Sequence, residues 1–136
     1  MEICYYPIDD PQAHISGPVA NEISSLKRLD PALWNMVARD LKDLSNEPDL
    51  GRFGRQGKAV PMKYRDSLWE LRIPSGKRDK GVFRIYFCFD SRRRQTIWLV
   101  AAEYKAGGRK KKQHDGEVIR AEKICVELRM RLQSEH

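Results

Sequence analysis

The stretch LWELRIPSGKRDKGVFRIYFCF, Leu68 to Phe89, alternates apolar and polar residues on either side of a basic turn. Side chains of a β-strand point alternately to the two faces of a sheet. One face of the predicted hairpin is therefore apolar and is formed by Trp69, Leu71, Ile73, Phe83, Ile85, Phe87 and Phe89. The other face carries Glu70, Arg72 and Arg84, and antiparallel pairing is expected to bring the two arginines together.

Further strands are predicted on both sides of this hairpin. Gln95–Tyr104, QTIWLVAAEY, is almost continuously apolar, which is typical of a central strand covered on both faces. Ile3–Ile8 is a possible short strand near the N-terminus. We therefore expect a mainly antiparallel sheet of three or more strands.

Helical periodicity precedes and follows the strands. Ser16 and Pro18 indicate the start of a first helix, and Asp30 with Pro31 indicates the N-cap and first turn of a second. Asn46–Pro61 has no period and is interpreted as a loop or extended connection. Asp115 is a candidate cap for a terminal helix whose apolar stripe is formed by Val118, Ala121, Cys125, Leu128 and Leu132.

These elements predict an α+β fold. An N-terminal helical hairpin packs on a twisted, mainly antiparallel sheet, and a C-terminal helix follows. The length of 136 residues favours one domain, residues 1–136. With 40% hydrophobic and 33% charged residues, no apolar run approaches the roughly 20 residues of a membrane span. The acidic N-terminus lacks the basic and apolar parts of a secretory signal, so we expect a cytoplasmic protein.

Known catalytic and metal-binding patterns are missing from the sequence. Its three cysteines form no CxxC pair and are interpreted as buried thiols. We find no HxxxH motif, no GxSxG motif and no dinucleotide or P-loop signature. We therefore expect neither a metal nor another cofactor.

Charge is distributed unevenly along the chain. Residues 1–60 hold 7 basic and 9 acidic side chains, whereas residues 61–136 hold 19 and 10, and the whole chain has a net charge of +7. Such asymmetry favours contact with a polyanion, nucleic acid before membrane, although a solvated basic face is the alternative. The strongest basic segment is Lys105–Lys112, KAGGRKKK, between the last strand and the last helix.

Several motifs together carry a resemblance to a known family. They are the run MKYRDSLWELRI, the strand with FRIYF, a hydrophobic strand that ends in a lysine-containing basic loop, and the terminal EVIRAEKI. From Pro18 to Leu132 the chain resembles the RelE/ParE toxin superfamily, most of all its HigB-like, phage-derived branch. The resemblance implies a RelE-like fold and the toxin of a bacterial type II toxin-antitoxin system. Such a toxin cleaves mRNA on the ribosome and forms a hetero-oligomer with a cognate antitoxin, which an adjacent gene is expected to encode.

The charges in the strands suit RNA cleavage on chemical grounds. RNA carries its own nucleophile, the 2′-OH, so cleavage needs in-line positioning, a base, an acid and positive charge at the phosphate. Arg72 is the best candidate for a phosphate clamp, because guanidinium offers a fork of donors and stays charged. It also matches an arginine of the family. Arg84 either adds a second phosphate contact or forms an ion pair with Glu70.

The basic loop supplies further candidates. In related toxins this segment holds catalytic or RNA-binding side chains, which implies catalytic roles for Lys110 and Lys112 and RNA contacts for Lys105, Arg109 and Lys111. A lysine acts as a base only where neighbouring cations depress its pKa; otherwise the loop is simply solvated. His114, kept neutral by the start of a helix, is an alternative base or an incidental residue.

Two other features remain open at the sequence level. The turn containing Lys77 and Arg78 either steers ribosomal RNA or is a plain surface turn. Tyr86 and Tyr104 either stack on a base and donate a proton or belong to the packed sheet. Many relatives carry a tyrosine in the last helix near the site, where this chain has Val118 or Ile119.

Two functions without RNA cleavage fit the same sequence. One is a ParE-like toxin that poisons DNA gyrase, and the other is a basic nucleic-acid-binding module. Arg72 together with the basic loop favours the nuclease.

Overall fold

The computed structural model describes residues 2–47, 59–61, 68–75, 81–89, 96–105 and 111–134. In these ranges the elements follow the order β1 (Glu2–Tyr5), α1 (Ala13–Ser16), α2 (Pro18–Leu29), α3 (Pro31–Asn46), β2 (Ala59–Pro61), β3 (Trp69–Pro74), β4 (Val82–Phe89), β5 (Thr96–Lys105) and α4 (Lys111–Ser134). The strands form one sheet in the order β1-β5-β4-β3-β2. β1 runs parallel to β5, and the other pairs are antiparallel. The predicted α+β class, helical hairpin and C-terminal helix are confirmed.

The two helices of the hairpin begin where proline and aspartate indicate. α2 starts at Pro18, with Gly17 rather than Ser16 at the N-cap position. A β-carbon on Gly17 would lie 2.6 Å from the carbonyl oxygen of Ala13, so glycine permits a close backbone approach here. The carboxylate of Asp30 caps α3 by accepting from the Leu33 N–H at 3.2 Å, as predicted.

The β3–β4 register confirms the hairpin predicted from Leu68–Phe89. Trp69 pairs with Phe87, and Arg72 pairs with Arg84. β5 lies between β1 and β4, as its apolar sequence predicts. The β4–β5 register shifts at Tyr86/Phe87, which leaves Val100 as an extra residue in β5 and exchanges the faces that its flanking side chains occupy.

Apolar layers cover both faces of the sheet. On one face the hairpin helices contribute Val19, Ile23, Leu26, Leu33, Val37 and Leu44 against strand residues that include Leu71, Ile73, Phe83, Ile85 and Phe87. On the other face α4 contributes Val118, Ala121, Cys125 and Leu128, which pack against Leu68, Tyr86, Cys88, Val100 and Ala101. Cys88 and Cys125 are buried thiols, as expected, while Cys4 is only partly buried. No helix in the described part of the chain has the length and apolarity needed to cross a membrane.

Some predicted boundaries were wrong. The last helix begins at Lys111, not after Asp115, because lysine and glutamine are good helix formers and extend the helix past the candidate cap. The predicted basic loop, Lys105–Lys112, is shorter at both ends, because Lys105 belongs to β5 and Lys112 belongs to α4. The first strand ends at Tyr5, before Ile8. The connection after α3 contains the short strand β2.

Candidate functional site

A buried carboxylate joins the two strand arginines. Glu70 is fully buried on the sheet face that α4 partly covers. Its Oε1 atom accepts from Nε of Arg72 and from Nη1 of Arg84. Glu70 and Arg72 are two residues apart on β3, and Arg84 lies opposite Arg72 on β4, so strand alternation and register place all three on one face.

The two arginines differ in their access to solvent. The side chain of Arg72 is 51% exposed, whereas that of Arg84 is 16% exposed. The bond from Arg72 to Glu70 uses Nε, which leaves the terminal guanidinium nitrogens directed away from this contact. Arg72 is therefore oriented by a buried acid while remaining accessible to a ligand. Arg84 forms the ion pair with Glu70 that the sequence offered as one of its two roles.

A second acid extends this group across the sheet. Glu103 lies opposite Arg84 in the β4–β5 register, and its Oε1 accepts from the Tyr86 hydroxyl at 2.9 Å. Burial raises the pKa of Tyr86, and the neighbouring Glu103 carboxylate raises it further. Tyr86 thus donates a buried hydrogen bond to Glu103, and its ring is not available to stack on a nucleobase.

We call Glu70, Arg72, Arg84, Tyr86 and Glu103 the polar cluster. Its two arginines and two glutamates balance in formal charge. Oε2 of Glu70 and Nε of Arg84 are buried without a hydrogen-bond partner. Each such unsatisfied atom lowers the free energy of unfolding by about 1–3 kcal/mol, so the cluster destabilises the fold relative to an apolar sheet face. The value of Arg72 to an anionic ligand accordingly lies in its orientation rather than in an excess of local positive charge.

The structure describes no side chain of the other predicted site residues. Lys77, Arg78, Arg109 and Lys110 lie outside the described residues. Lys105 ends β5. Lys111, Lys112 and His114 lie in the first turn of α4. For these last four, the backbone alone is described.

The strand register nevertheless relates the basic segments to Arg72. Pro74, Val82 and Lys105 form one row across the sheet, and Arg72, Arg84 and Glu103 form another. The rows are two residues apart along the strands, or about 7 Å. The segments that contain Lys77 and Arg109 therefore both leave the sheet at the end where Arg72 lies.

The sequence interpretation missed Glu103 as a member of the cluster. A usable signal was present, because Glu103 is the one acidic residue in the apolar run Gln95–Tyr104. Val118 and Ile119 stand where the resemblance leads one to expect a tyrosine; Val118 is buried against the sheet and Ile119 is exposed. Neither residue offers a hydroxyl.

Comparison with family models, with curated proteins and with solved structures gives no match for this chain.

Proposed function

We propose that this chain is the toxin of a type II toxin-antitoxin system, a metal-independent endoribonuclease that cleaves mRNA on the ribosome. The proposal follows from the resemblance to the HigB-like branch of the RelE/ParE toxins. The observation that carries it is Arg72, a half-exposed guanidinium oriented by the buried Glu70 beside Arg84. The α+β architecture, with its helical hairpin and C-terminal helix, agrees with that resemblance.

The proposed reaction uses the RNA as its own nucleophile. The 2′-oxygen forms a bond to the adjacent phosphorus while the bond from phosphorus to the 5′-oxygen breaks. A base takes the 2′-OH proton, and an acid returns a proton to the departing 5′-oxygen. The products are a 2′,3′-cyclic phosphate and a 5′-OH end.

Arg72 would act on the phosphate during this reaction. Its free guanidinium face donates to the non-bridging oxygens, whose negative charge increases in the transition state. Glu70 would be a positioning residue, because it holds Nε and limits the rotation of the guanidinium. Arg84 is mostly buried and would serve the same orientation through Glu70.

Basic segments at the Arg72 end of the sheet would bind the RNA backbone and supply the base. Lys105, Arg109 and Lys111 are the proposed RNA contacts from one segment, and Lys77 and Arg78 from the other. Lys110, Lys112 and His114 are the candidates for proton transfer. Lysines in the first turn of α4 are unfavourable for the helix dipole, and a bound phosphate at this end would relieve that repulsion.

The decisive experiment compares Arg72→Ala with a matched arginine variant. Arg39 lies on α3, outside the polar cluster, and is also well exposed, so Arg39→Ala controls for general loss of surface charge. We expect Arg72→Ala to reduce single-turnover mRNA cleavage on programmed ribosomes by roughly 100- to 1,000-fold and to abolish growth arrest. Arg39→Ala should retain both activities. A folded Arg72→Ala protein with full cleavage would refute the assignment.

Brief expression of the wild-type chain in cells distinguishes a nuclease from a gyrase poison and from a nucleic-acid-binding module. Sequencing RNA 5′ ends after brief expression should reveal new 5′-OH ends within reading frames. Growth arrest with DNA breaks and no new RNA ends would indicate a gyrase poison instead. RNA binding without either effect would indicate a binding module.

The basic segment has its own test. Replacing Arg109, Lys110, Lys111 and Lys112 by Gln should weaken RNA binding at every sequence and flatten its salt dependence. Cleavage at saturating protein should partly survive if these residues mainly bind phosphate. A single variant such as Lys110→Gln or His114→Ala that binds normally but cleaves roughly 100- to 10,000-fold more slowly would identify the general base.

A toxin of this kind requires a partner. We propose that an adjacent gene encodes a small antitoxin, whose acidic or amphipathic segment covers the basic surface or contacts the N-terminal helices in a hetero-oligomer. Both toxin and ribosome would meet in the cytoplasm. Co-expression with the adjacent gene should restore growth, whereas harmless expression of the chain alone would contradict the proposal.

A further inference from the structure

The helix α4 carries a second row of side chains, apart from the row that packs on the sheet. The residues that face the sheet are buried and are Val118, Ala121, Cys125 and Leu128. Ile119 and Val126 each follow one of these by one position, so they are rotated by roughly 100° from it around the helix. With Lys123 and Met130 they recur at spacings of four, three and four residues, the heptad spacing of a helix that packs along another helix. We call these four residues, 119, 123, 126 and 130, the outer stripe.

The outer stripe is accessible to solvent. Ile119 is 53% exposed and Met130 is 66% exposed. Lys123 is exposed as well, and Val126 is half-buried. Of the four large hydrophobic side chains that are exposed in the described part of the chain, two therefore lie on one side of this helix. Single exposed apolar residues are ordinary, whereas a row of them at heptad spacing is typical of a contact between helices.

Charged residues flank the outer stripe, and their sign alternates along each side. On one side Arg120 and Glu127 are exposed and stand seven residues apart. Arg120 donates to Glu117 of its own helix, and its side chain is still 61% exposed. On the other side Glu122 and Arg129 are half-buried, have contacts within the chain and follow the opposite order of sign. Each side is thus complementary in charge to itself when the helix runs in the reverse direction.

We propose that the outer stripe binds a second copy of this chain, whose α4 packs against it in the antiparallel direction. The two-fold axis would pass midway between Lys123 and Val126. Ile119 would then pack on Met130 of the second copy, and the aliphatic stem of Lys123 would cover Val126 of the second copy. The proposal does not depend on the nuclease, because it involves neither Arg72 nor RNA.

The antiparallel direction follows from the charges. It places Arg120 of each copy beside Glu127 of the other, and two-fold symmetry makes this contact twice. The parallel direction would instead stack Lys123 of one copy on Lys123 of the other and bring Glu122 close to Glu127. Such contacts between like charges disfavour the parallel pair.

The proposed contact is small. Two helices that meet over about three turns bury an area at the low end of specific interfaces. Each chain also has a net charge of +7, so two copies repel each other at low salt. We therefore expect a weak dimer, with a Kd of roughly 10–100 μM at about 0.15 M salt, where most of this repulsion is screened.

Sedimentation equilibrium of the full chain, from about 5 to 500 μM, tests the dimer. Met130→Lys places a charge in the outer stripe and should leave the chain monomeric throughout this range. Leu29→Lys is the matched control, because Leu29 is 59% exposed and lies at the end of α2; it should dimerise as the unchanged chain does. A chain that stays monomeric at the highest concentration would overturn the proposal, and so would Met130→Lys if it still dimerised.

Charge exchange tests the antiparallel direction. Glu127→Arg and Arg120→Glu should each weaken the dimer about tenfold, since symmetry repeats the new contact between like charges. Asp43→Arg, the same kind of charge reversal at an exposed site on α3, should have little effect. The double variant Arg120→Glu/Glu127→Arg has the composition of the original chain, restores opposite charges across the dimer and should associate within about threefold of it. A double variant that binds no more tightly than the single variants would overturn the proposal.

Discussion

The two faces of the sheet are packed in different ways. On the face beneath α2 and α3 the strands contribute aliphatic and aromatic side chains, and the buried acids Asp30 and Asp40 belong to α3 and its N-cap. The face beneath α4 is apolar around Tyr86, Cys88 and Val100, but it also holds Glu70, Arg84 and Glu103, which are all largely buried. A fold needs only the first kind of packing, because burying charges rarely adds net stability. The α4 face is therefore the side of the sheet where strand residues bury charge at a cost in stability.

The largest effect should come from the apolar face. Phe87 is fully buried in that layer and stacks on Trp69 with a ring separation of 6.2 Å. Phe87→Ala should lower the free energy of unfolding by about 3–5 kcal/mol, because it leaves a cavity in a packed core. Urea denaturation measures the change. Ile119→Ala, at an exposed position on α4, is the control and should change stability little; equal losses in the two variants would contradict the assignment of the core.

Removing one partner of the buried Glu70–Arg84 pair should destabilise the chain more than replacing both partners by apolar residues. Glu70→Leu leaves the mostly buried Arg84 without its acid and should destabilise the chain by about 3 kcal/mol. Adding Arg84→Met should recover most of that loss, since apolar side chains of similar size can replace a buried pair. RNA cleavage should remain lost in the double variant. A stable double variant with full cleavage would show that the cluster is not needed for activity.

A smaller, pH-dependent effect should come from Tyr86→Phe. Near pH 8 the loss of the hydroxyl bond to Glu103 should cost about 1 kcal/mol. The pKa of Tyr86 is raised in the folded chain, so above pH 10 the unfolded chain releases this proton while the folded chain keeps it. The free energy of unfolding therefore falls as the pH rises, by up to about 1.4 kcal/mol per pH unit from this group. Tyr86→Phe has no phenol to titrate at this position and does not show this loss. Urea unfolding at pH 8 and pH 11 should therefore show the gap between the two proteins closing; a constant gap would contradict the raised pKa.

The smallest effect should be a gain in the helix that covers the charged face. A β-carbon at Gly116 in α4 meets no atom within 4 Å. Gly116→Ala should raise the free energy of unfolding by about 0.5–1 kcal/mol through helix propensity. Gly81→Ala should have the opposite sign, because its β-carbon would lie 2.1 Å from the Tyr104 hydroxyl oxygen. Thermal unfolding of the two variants distinguishes open from crowded glycines, and a loss of stability in Gly116→Ala would contradict the open space.

Much of the fold was predictable from local signals. The alternation in Leu68–Phe89 predicted β3 and β4 and the pairing of Arg72 with Arg84. The Asp30-Pro31 pair predicted the start of α3, since capping depends on neighbouring residues alone. The start of α4 was predicted wrongly, because Asp115 is a residue type that favours the N-cap position but lies inside the helix, which begins at Lys111. Helix ends are weakly determined by sequence when good helix formers precede a candidate cap.

The candidate site was predictable only in part. Arg72 and Arg84 were found because charged residues interrupt apolar strands, and that signal is local. The sequence did not predict that both arginines bind one oxygen of Glu70, since this depends on the distance between strands and on the burial of Glu70 in the folded chain.

By itself, the sequence determined which segments are strands and helices, which strand faces are apolar and where charges enter the sheet, because side-chain periodicity and capping act over a few residues. Only the tertiary structure decided that β1 pairs with the first four residues of β5, that Val100 forms a bulge and that Glu103 joins the polar cluster. These features depend on contacts between residues far apart in the chain, and their free energies are set by packing and register, which no local pattern encodes. The partial pairing of β1 with β5 is the clearest case, because it exists only where one strand ends beside another that continues.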